Sequence, residues 1–280
     1  MDYPESRRAL VEERLETVLD RVEPSELADE VRHVALSGGK RVRPTVTVLS
    51  CEAAGGEADD AVDFAVGVEL VHDASLVVDD IIDDSDTRRG SASAWAEFGY
   101  APAIVASDGL IGEAFELFSP DPRAMEAVAD AMVELGEGEA TELVARPTDR
   151  EGYMELARRK TGALFRAAAE LGAIAADADH ATVEAFGEYA EKVGVAFQIR
   201  DDVLDATADA DDLGKPTGHD AEMGRPSIVR VTDLTAEEAD ELAHEKSDAA
   251  LAALDRAETP DLTATDYLRD LAAFVVTREH

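Results

Sequence analysis

The fold is indicated most clearly by residues 59–84, which read DDAVDFAVGVELVHDASLVVDDIIDD. Apolar side chains recur there every three or four positions, the spacing of one helix face. The same spacing fills most of the chain, Gly and Pro separate the segments, and alternating, strand-like stretches are scarce. The sequence therefore predicts an all-α protein with one domain, residues 1–280. Helices are expected over residues 6–22, 25–36, 43–54, 59–84, 101–118, 122–145, 150–176 and 181–208, and at least two more after residue 236.

The charge of the chain limits its partners. Its 280 residues include 63 Asp and Glu against 26 Lys and Arg, a formal net charge of -37. The acids are spread along the whole chain, which indicates a solvated surface suited to high salt and favours a halophilic source. Nucleic acids and anionic membranes require a basic patch, and the basic clusters here are very short. We therefore expect neither partner.

Two further features bear on location and covalent structure. No apolar run is long enough to span a membrane, and the N-terminus lacks the apolar stretch of a signal peptide. A cytoplasmic protein without a membrane span is expected. The single cysteine, Cys51, excludes an internal disulfide and argues against a cysteine-built metal site, so we expect it to be buried for structural reasons.

Two predicted helices carry the pattern Asp-Asp-x-x-Asp, at Asp79-Asp80-Ile81-Ile82-Asp83 and at Asp201-Asp202-Val203-Leu204-Asp205. Residues four apart lie on one helix face, so each motif presents a pair of carboxylates. Such oxygen ligands suit Mg²⁺, which shares its coordination with waters and substrate phosphates. Both motifs lie in strongly apolar stretches, where unpaired carboxylates are costly to bury. Two such helices face to face would hold a diphosphate through bridging metal ions.

The same pattern also occurs at Asp59-Asp60-Ala61-Val62-Asp63. In a chain this acidic, roughly three matches arise by chance. This one follows Gly55-Gly56-Glu57, where a helix is expected to begin, and acids at a helix start cap free N–H groups and complement the helix dipole. We interpret this third motif as structural.

The few bases are placed selectively. Gly38-Gly39-Lys40-Arg41-Val42-Arg43-Pro44 puts three bases in a turn that leads into a helix, a favourable setting for an anion. Arg88-Arg89 follows the first aspartate motif, and Arg158-Arg159-Lys160 lies in the middle region. His72 precedes Asp79 by two helical turns and shares its face, so it is a candidate diphosphate donor, although a lone histidine is more often structural.

Together these motifs resemble the trans-isoprenyl diphosphate synthase, or polyprenyl synthetase, family. The resemblance extends from Gly38 to about Ser227, and five motifs occur in the family's order. They are GGKRVRP at 38–44, residues 72–90, KTGALF at 160–165, residues 197–205 and LGKPTG at 213–218. The resemblance implies a homodimer of large helical bundles of the isoprenoid synthase type, each with a central substrate cavity.

The resemblance also implies roles for single residues. Three Mg²⁺ ions are expected, two on Asp79 and Asp83 with Asp80 adjacent, and one on Asp201 supported by Asp202 and Asp205. The isopentenyl diphosphate site is expected to use protein cations and donors, namely Lys40, Arg43, His72 and Arg89. The allylic diphosphate is expected to contact Arg88, Lys160, Thr161, Gln198, Lys215 and Arg225.

The implied reaction extends an allylic diphosphate with isopentenyl diphosphate. Metal ions and cations stabilise the departing diphosphate, and the double bond of isopentenyl diphosphate attacks the resulting carbocation-like centre. Departing diphosphate itself is expected to take the proton. Ala74 and Ser75 stand where bulky residues form a short floor in the family, so products of twenty carbons or more are expected, with a deeper floor at Phe115 or Phe118.

Three segments depart from the family pattern. Val78 stands where a histidine is common, Gly138-Glu139-Ala140-Thr141-Glu142-Leu143 replaces a Gly-Gln-x-x-Asp-Leu segment, and Gly224-Arg225-Pro226-Ser227 replaces a Gly-Lys-x-Thr segment. The alternatives are a non-catalytic or regulatory subunit, a simple ion-binding protein, and a terpene cyclase or head-to-head synthase. Intact aspartate motifs argue against the first. A simple ion-binding protein would not need the bases Lys40, Arg43, Arg88, Arg89 and Lys160. The complete second aspartate motif and the Lys40 and Arg43 site for a second diphosphate argue against the cyclase or head-to-head synthase.

Overall fold

The computed structural model describes residues 3–207 and 226–278, and these residues are almost entirely helical. The helices are α1 (Tyr3–Leu19), α2 (Ser25–Ala35), α3 (Val42–Ala53), α4 (Ala58–Ile82), α5 (Ala94–Phe98), α6 (Tyr100–Phe118), α7 (Pro122–Ala140), α8 (Arg150–Ala157), α9 (Ala163–Ala175), α10 (His180–Thr207), α11 (Ile228–Val231), α12 (Ala236–Leu254) and α13 (Leu262–Thr277). A two-stranded antiparallel hairpin pairs β1 (Thr87–Arg88) with β2 (Ser91–Ala92). The all-α prediction is confirmed.

The predicted helices differ from the observed ones mainly at two π-helical turns. Thr141–Ala145 continues α7, and Arg158–Gly162 divides the helix expected over residues 150–176 into α8 and α9. Such turns depend on how a helix is packed against its neighbours and have no breaker residue to mark them. The hairpin, α5 and α11 were not predicted, because each is shorter than the windows in which periodicity is visible.

The start of α4 is capped by the third acidic motif. Glu57 and Asp60 form a capping box, in which the Glu57 N–H donates to Asp60 Oδ2 at 3.1 Å. Asp63 accepts a hydrogen bond of 2.6 Å from Arg14 Nε of α1. These contacts satisfy helix-end donors and tie α1 to α4, which bears out the structural interpretation of this motif.

The core is built around α4 and α10. Helix α4 packs against α3, α6 and α9, while α10 packs against α9, α12 and α13. The helices approach closely at Gly67, where a Cβ atom would lie only 2.5 Å from Cζ of the fully buried Phe118. Full burial of a large apolar side chain contributes roughly 1.5–3 kcal/mol, so this contact helps to hold α4 against α6.

Two expectations from composition are also met by the described residues. Cys51 is a free, fully buried thiol, and burial raises its pKa to about 12, so it has no thiolate chemistry near neutral pH. Within residues 3–207 and 226–278, none of the helices has the length and apolar character needed to cross a bilayer.

Candidate active site

The first aspartate motif lies on the last turn of α4. Asp79 and Asp83 are half-buried, and Asp83 is the residue at which the helix ends. Asp80 is buried instead, and its carboxylate accepts from Arg88 Nε at 2.9 Å. Its carbonyl accepts from Trp95 Nε1 at 3.0 Å. The predicted pair, Asp79 and Asp83, therefore borders solvent, whereas Asp80 anchors Arg88 of the hairpin.

The second motif lies near the end of α10, and its middle residue is the most enclosed. Asp202 is buried, and its Oδ2 accepts from the Tyr153 hydroxyl at 2.6 Å and from the Ile228 N–H at 2.7 Å. Gln198 Nε2 donates to Oδ1 at 3.1 Å. Through these hydrogen bonds Asp202 connects α8 and the start of α11 to α10. Asp201 and Asp205 are more exposed.

Lys160 connects the middle region to the first motif. It lies on the π-helical turn Arg158–Gly162, and its Nζ lies 3.0 Å from Glu139 and also donates to Glu142. Burial lowers the pKa of Lys160, but the charges of Asp79, Glu142 and Glu139 outweigh it and raise the pKa above its ordinary value. Lys160 is therefore a cation at every physiological pH, placed among carboxylates of three different segments.

A small pocket gathers the residues expected to contact the allylic diphosphate. It has a volume of about 90 Å³ and is lined in part by Lys160, Thr161, Gln198 and Asp202. The Thr161 hydroxyl donates to Gln198 Oε1 at 2.9 Å. The structure thus brings together three of the six predicted contacts, Lys160, Thr161 and Gln198. Thr161 and Gln198 are 37 positions apart in the chain.

Two of the predicted isopentenyl diphosphate residues lie at the glycine turn, since Lys40 follows Gly39 and Arg89 contacts Gly38. Gly38 and Gly39 have φ of +89° and +133°, conformations that favour glycine. Arg89 Nη1 donates to the Gly38 carbonyl at 2.5 Å and lies 3.3 Å from Asp73 Oδ1. Lys40 is exposed and forms no ion pair with any residue that the structure describes. The Arg89 guanidinium is therefore fixed against the turn, while Lys40 stays exposed to solvent.

Arg43 and His72 lie deeper in the same region. Burial lowers the pKa of Arg43 to about 10, and its guanidinium carbon lies 4.6 Å from the centre of the Phe165 ring. Burial, followed by the charges of Arg43 and Arg89, lowers the pKa of His72 well below its ordinary value. His72 is therefore neutral at pH 7 and can donate a hydrogen bond to an anion without adding charge.

The predicted chain-length residues lie one turn above the motif on α4. Ala74 is buried, and its carbonyl accepts from the Ser107 hydroxyl at 3.2 Å. Ser75 is half-buried, and its hydroxyl donates to the His72 carbonyl at 2.7 Å. Phe118 of α6 packs against Gly67, which lies nearer the N-terminal end of α4. Phe115 is partly buried. Ala74 therefore lies in the core between α4 and α6, while Ser75 is partly accessible.

Residues 208–225 lie outside the described part of the chain. Lys215, Arg225 and the LGKPTG motif belong to this segment. Their predicted roles at the allylic diphosphate therefore stay predictions.

The donor chemistry of the two motifs fits a divalent magnesium ion. Asp79, Asp83, Asp201 and Asp205 offer only carboxylate oxygens at partly exposed positions. Within residues 3–207 and 226–278, no group of three or more His, Cys, Asp or Glu side chains is placed to hold a metal ion. Magnesium commonly binds one or two carboxylates and completes its shell with water and substrate phosphates, which suits open carboxylates of this kind.

Several residues of the site were not assigned a role from the sequence. Glu139 and Glu142 flank Lys160, Tyr153 holds Asp202, and Arg278 contacts Asp201. Glu139 and Glu142 lie in segment 138–143, which departs from the family pattern, so this departure in the sequence is a signal of their importance. Tyr153 and Arg278 carry no motif, because their importance arises from contacts across the fold.

Comparison with known proteins shows which family the chain resembles along its length. Residues 24–257 match the family model "Polyprenyl synthetase". A short chain isoprenyl diphosphate synthase of Methanothermobacter thermautotrophicus is 35% identical over 243 residues, covering 84% of this chain and 75% of that protein. The geranylgeranyl pyrophosphate synthetase of Pyrococcus horikoshii superposes with a TM-score of 0.90 and 33% identity, over 99% of this chain and 97% of that one.

A further solved structure carries ligands. The polyprenyl synthase of Caulobacter crescentus, complexed with calcium and isoprenyl diphosphate, superposes with a TM-score of 0.86 and 31% identity, over 99% of this chain and 96% of that one. The family model covers well over half of the chain, and these relatives match it along most of their own length. The chain therefore belongs to the polyprenyl synthetase family of trans-prenyl diphosphate synthases.

Proposed function

We propose that the protein extends an allylic diphosphate with isopentenyl diphosphate by head-to-tail condensation and releases diphosphate. The observation that carries this proposal is the convergence of Lys160, Thr161 and Gln198 on one pocket, with the charge of Asp79 acting on Lys160. A cation and two neutral hydrogen-bonding groups beside open carboxylates form a suitable site for a metal-bound diphosphate. One domain, residues 1–280, would contain the whole site.

Asp79, Asp83, Asp201 and Asp205 would hold magnesium, with three ions in all. When bound, the ions neutralise the charge that develops on the departing diphosphate. Asp80 and Asp202 would position other residues of the site, since Asp80 holds Arg88 and Asp202 holds Gln198 by hydrogen bonds. Lys160 and Arg88 would contribute positive charge from the protein, and Lys215 and Arg225 keep the same role as sequence-based predictions.

Isopentenyl diphosphate would bind at Lys40, Arg43, His72 and Arg89. Arg43 and Arg89 lie close enough to lower the pKa of His72 by their charge, and Lys40 is exposed. This region supplies three positive charges and a neutral N–H donor without a metal ion. With one diphosphate at these residues and the other at the aspartates, the reacting carbon atoms of the two substrates would be held close together.

The double bond of isopentenyl diphosphate attacks the allylic carbon as the carbon–oxygen bond to diphosphate breaks. A new carbon–carbon bond forms, and a proton leaves the resulting carbocation. We assign no side-chain base to this proton, since the departing diphosphate lies close by. Water must be excluded, because a free allylic cation would be hydrolysed.

We propose a product of twenty carbons or more. The small side chains of Ala74 and Ser75 leave no floor directly below Asp79. Phe118 packs against Gly67, which lies twelve residues before Asp79 and so roughly 18 Å along the helix. The proposed product length agrees with the similarity to a geranylgeranyl pyrophosphate synthetase.

We also propose a homodimer. Ile104 and Val105 of α6 and Val133 of α7 are each more than half exposed, at 52%, 52% and 60%. Large apolar side chains exposed on neighbouring helices are typical of a surface that another chain covers.

The decisive experiment incubates the purified protein with labelled isopentenyl diphosphate, farnesyl diphosphate and Mg²⁺ at high salt, followed by chromatography of the extracted products. We expect label in prenyl diphosphates of twenty carbons or more. Asp79→Ala should abolish incorporation, whereas Asp59→Ala, the first residue of the capping motif on the same helix, should retain it. Folded protein that incorporates no label with any allylic primer would contradict the proposal.

A further inference from the structure

The C-terminal end of the described chain reaches the second aspartate motif. Arg278 follows the last residue of α13, yet it is 8% exposed. Its Nη2 donates to Asp201 Oδ1, and the carbonyl of Phe197 lies 3.4 Å from the same nitrogen. The guanidinium carbon lies 3.9 Å from the centre of the Phe197 ring. A buried cation from the end of the chain thus rests on the first aspartate of the motif.

This position is fixed through the backbone as well as the side chain. The Arg278 carbonyl accepts from Arg200 Nε at 3.1 Å and from Nη2 at 2.8 Å. Arg200 is itself held by Asp240 of α12 at 2.5 Å. Because Arg200 directly precedes Asp201, adjacent residues of α10 bind the main chain and the side chain of Arg278. The contact is therefore part of the packing of α13 on α10.

The surroundings of Arg278 and Asp201 would allow a cation to replace the arginine as the partner of Asp201. Nε of Arg278 is buried and finds no hydrogen-bond partner among the described residues. A buried guanidinium with an unpaired donor is costly, and the neighbouring carboxylate compensates part of that cost. Asp201 itself is half exposed, with 45% of its side chain accessible, so solvent and ions can reach it. The guanidinium supplies the charge that a cation bound at Asp201 would otherwise supply.

We propose that Arg278 is a positioning residue that acts as the resident counter-ion of Asp201 and competes there with a divalent cation. Asp201 then binds its ion tightly only when a diphosphate brings further negative charge. Like charges repel at this short range, so the guanidinium lowers the affinity of Asp201 for a metal ion. The inference rests on the proposed function, which makes Asp201 a metal ligand.

The test measures Mn²⁺ binding to the full chain without substrate, from the paramagnetic signal of the free ion. We expect Arg278→Gln to bind Mn²⁺ on the order of tenfold more tightly than the wild type, which corresponds to about 1.4 kcal/mol. Adding inorganic diphosphate should reduce that difference. Arg269→Gln is the matched control, because this arginine of the same helix pairs with Asp255 at the surface and should leave binding unchanged.

Further variants separate charge from packing. Arg278→Lys keeps the charge and should bind Mn²⁺ as the wild type does. Arg278→Met keeps the stem that rests on Phe197 and should behave like Arg278→Gln, so it serves if the Gln variant fails to fold. In the double variant Arg278→Gln/Asp201→Asn the gain should disappear. Folded neutral variants with unchanged or weaker Mn²⁺ affinity would overturn the inference.

These outcomes are independent of the activity test. If the protein extends farnesyl diphosphate but Arg278→Gln binds Mn²⁺ no more tightly, this inference is wrong and the proposed function stands. If Arg278→Gln binds Mn²⁺ more tightly and no primer is extended, Arg278 still governs the cation site and the proposed function is wrong.

Discussion

Nζ of Lys160 lies 3.0 Å from a carboxylate oxygen of Glu139. The same ammonium group donates to Glu142, and Asp79 acts on it through its charge. Burial, followed by the charge of Asp79, raises the pKa of Glu139 to about 7. One lysine is therefore shared among several carboxylates before any substrate arrives, and a bound diphosphate must compete for it.

Glu139→Gln is expected to tighten binding of the allylic substrate. At pH 8, above the pKa of Glu139, removing its negative charge beside Lys160 and Asp79 should lower the KM for farnesyl diphosphate by about threefold to tenfold, the scale of one nearby charge in a partly screened site. Steady-state kinetics measure this, with Glu137→Gln as the control, since Glu137 pairs with Arg159 at the surface. An unchanged or higher KM would show that Glu139 does not compete for Lys160.

The capping motif and the catalytic motif should respond differently to the same change. Asp60→Ala removes one half of the capping box and should lower the free energy of unfolding by about 1 kcal/mol. Prenyl transfer at a temperature well below unfolding should be retained, because Asp60 lies at the opposite end of α4 from Asp79. Chemical denaturation and the incorporation assay measure the two effects. Loss of activity in folded Asp60→Ala would contradict this assignment.

Product length should shorten when the space at Ser75 is filled. Ser75 is half-buried one turn before Asp79, so Ser75→Phe places a ring in the path of the growing chain. We expect the main product to fall to fifteen carbons when the allylic primer is geranyl diphosphate. Ser75→Ala, which stays small, should keep the wild-type product. Chromatography of dephosphorylated products distinguishes these outcomes, and an unchanged length for Ser75→Phe would place the channel elsewhere.

Stability should decrease as pH rises because of Glu170. Burial, only partly offset by Arg166, raises the pKa of Glu170 to about 7 from its ordinary value of 4.5. Between these values the folded state retains a proton that the unfolded state releases, so the free energy of unfolding falls as pH increases. Glu170→Gln should weaken this slope between pH 5 and pH 8 in denaturation experiments.

The matched control for Glu170 is Glu184→Gln. Glu184 also pairs with Arg166, at 3.4 Å, but its side chain is 57% exposed. That variant should keep the wild-type slope. Equal slopes in the wild type and Glu170→Gln would mean that Glu170 is ionised in the folded state across this range.

High salt should stabilise the protein. With a net charge of -37, the folded chain repels itself, and screening reduces that repulsion. We expect the thermal midpoint to rise on going from dilute buffer to molar KCl. A midpoint that is independent of KCl would argue against the halophilic interpretation.

The sequence alone determined the features that depend on local geometry. Helical periodicity placed α4 and α10, and the four-residue spacing put Asp79 with Asp83 and Asp201 with Asp205 on common faces. The capping role of Asp60 also followed from its position at a helix start. These features need only the regular repeat of the α-helix, so a single sequence was enough.

Only the tertiary structure decided which residues meet. Asp202 is buried by Tyr153 and Ile228, 49 and 26 positions away, and Asp201 is reached by Arg278 from 77 positions away. The separation of two residues in the sequence does not predict such contacts. They depend on how whole helices pack and on which charged groups that packing buries. The motifs could therefore be read from the sequence, while the roles within each motif required the fold.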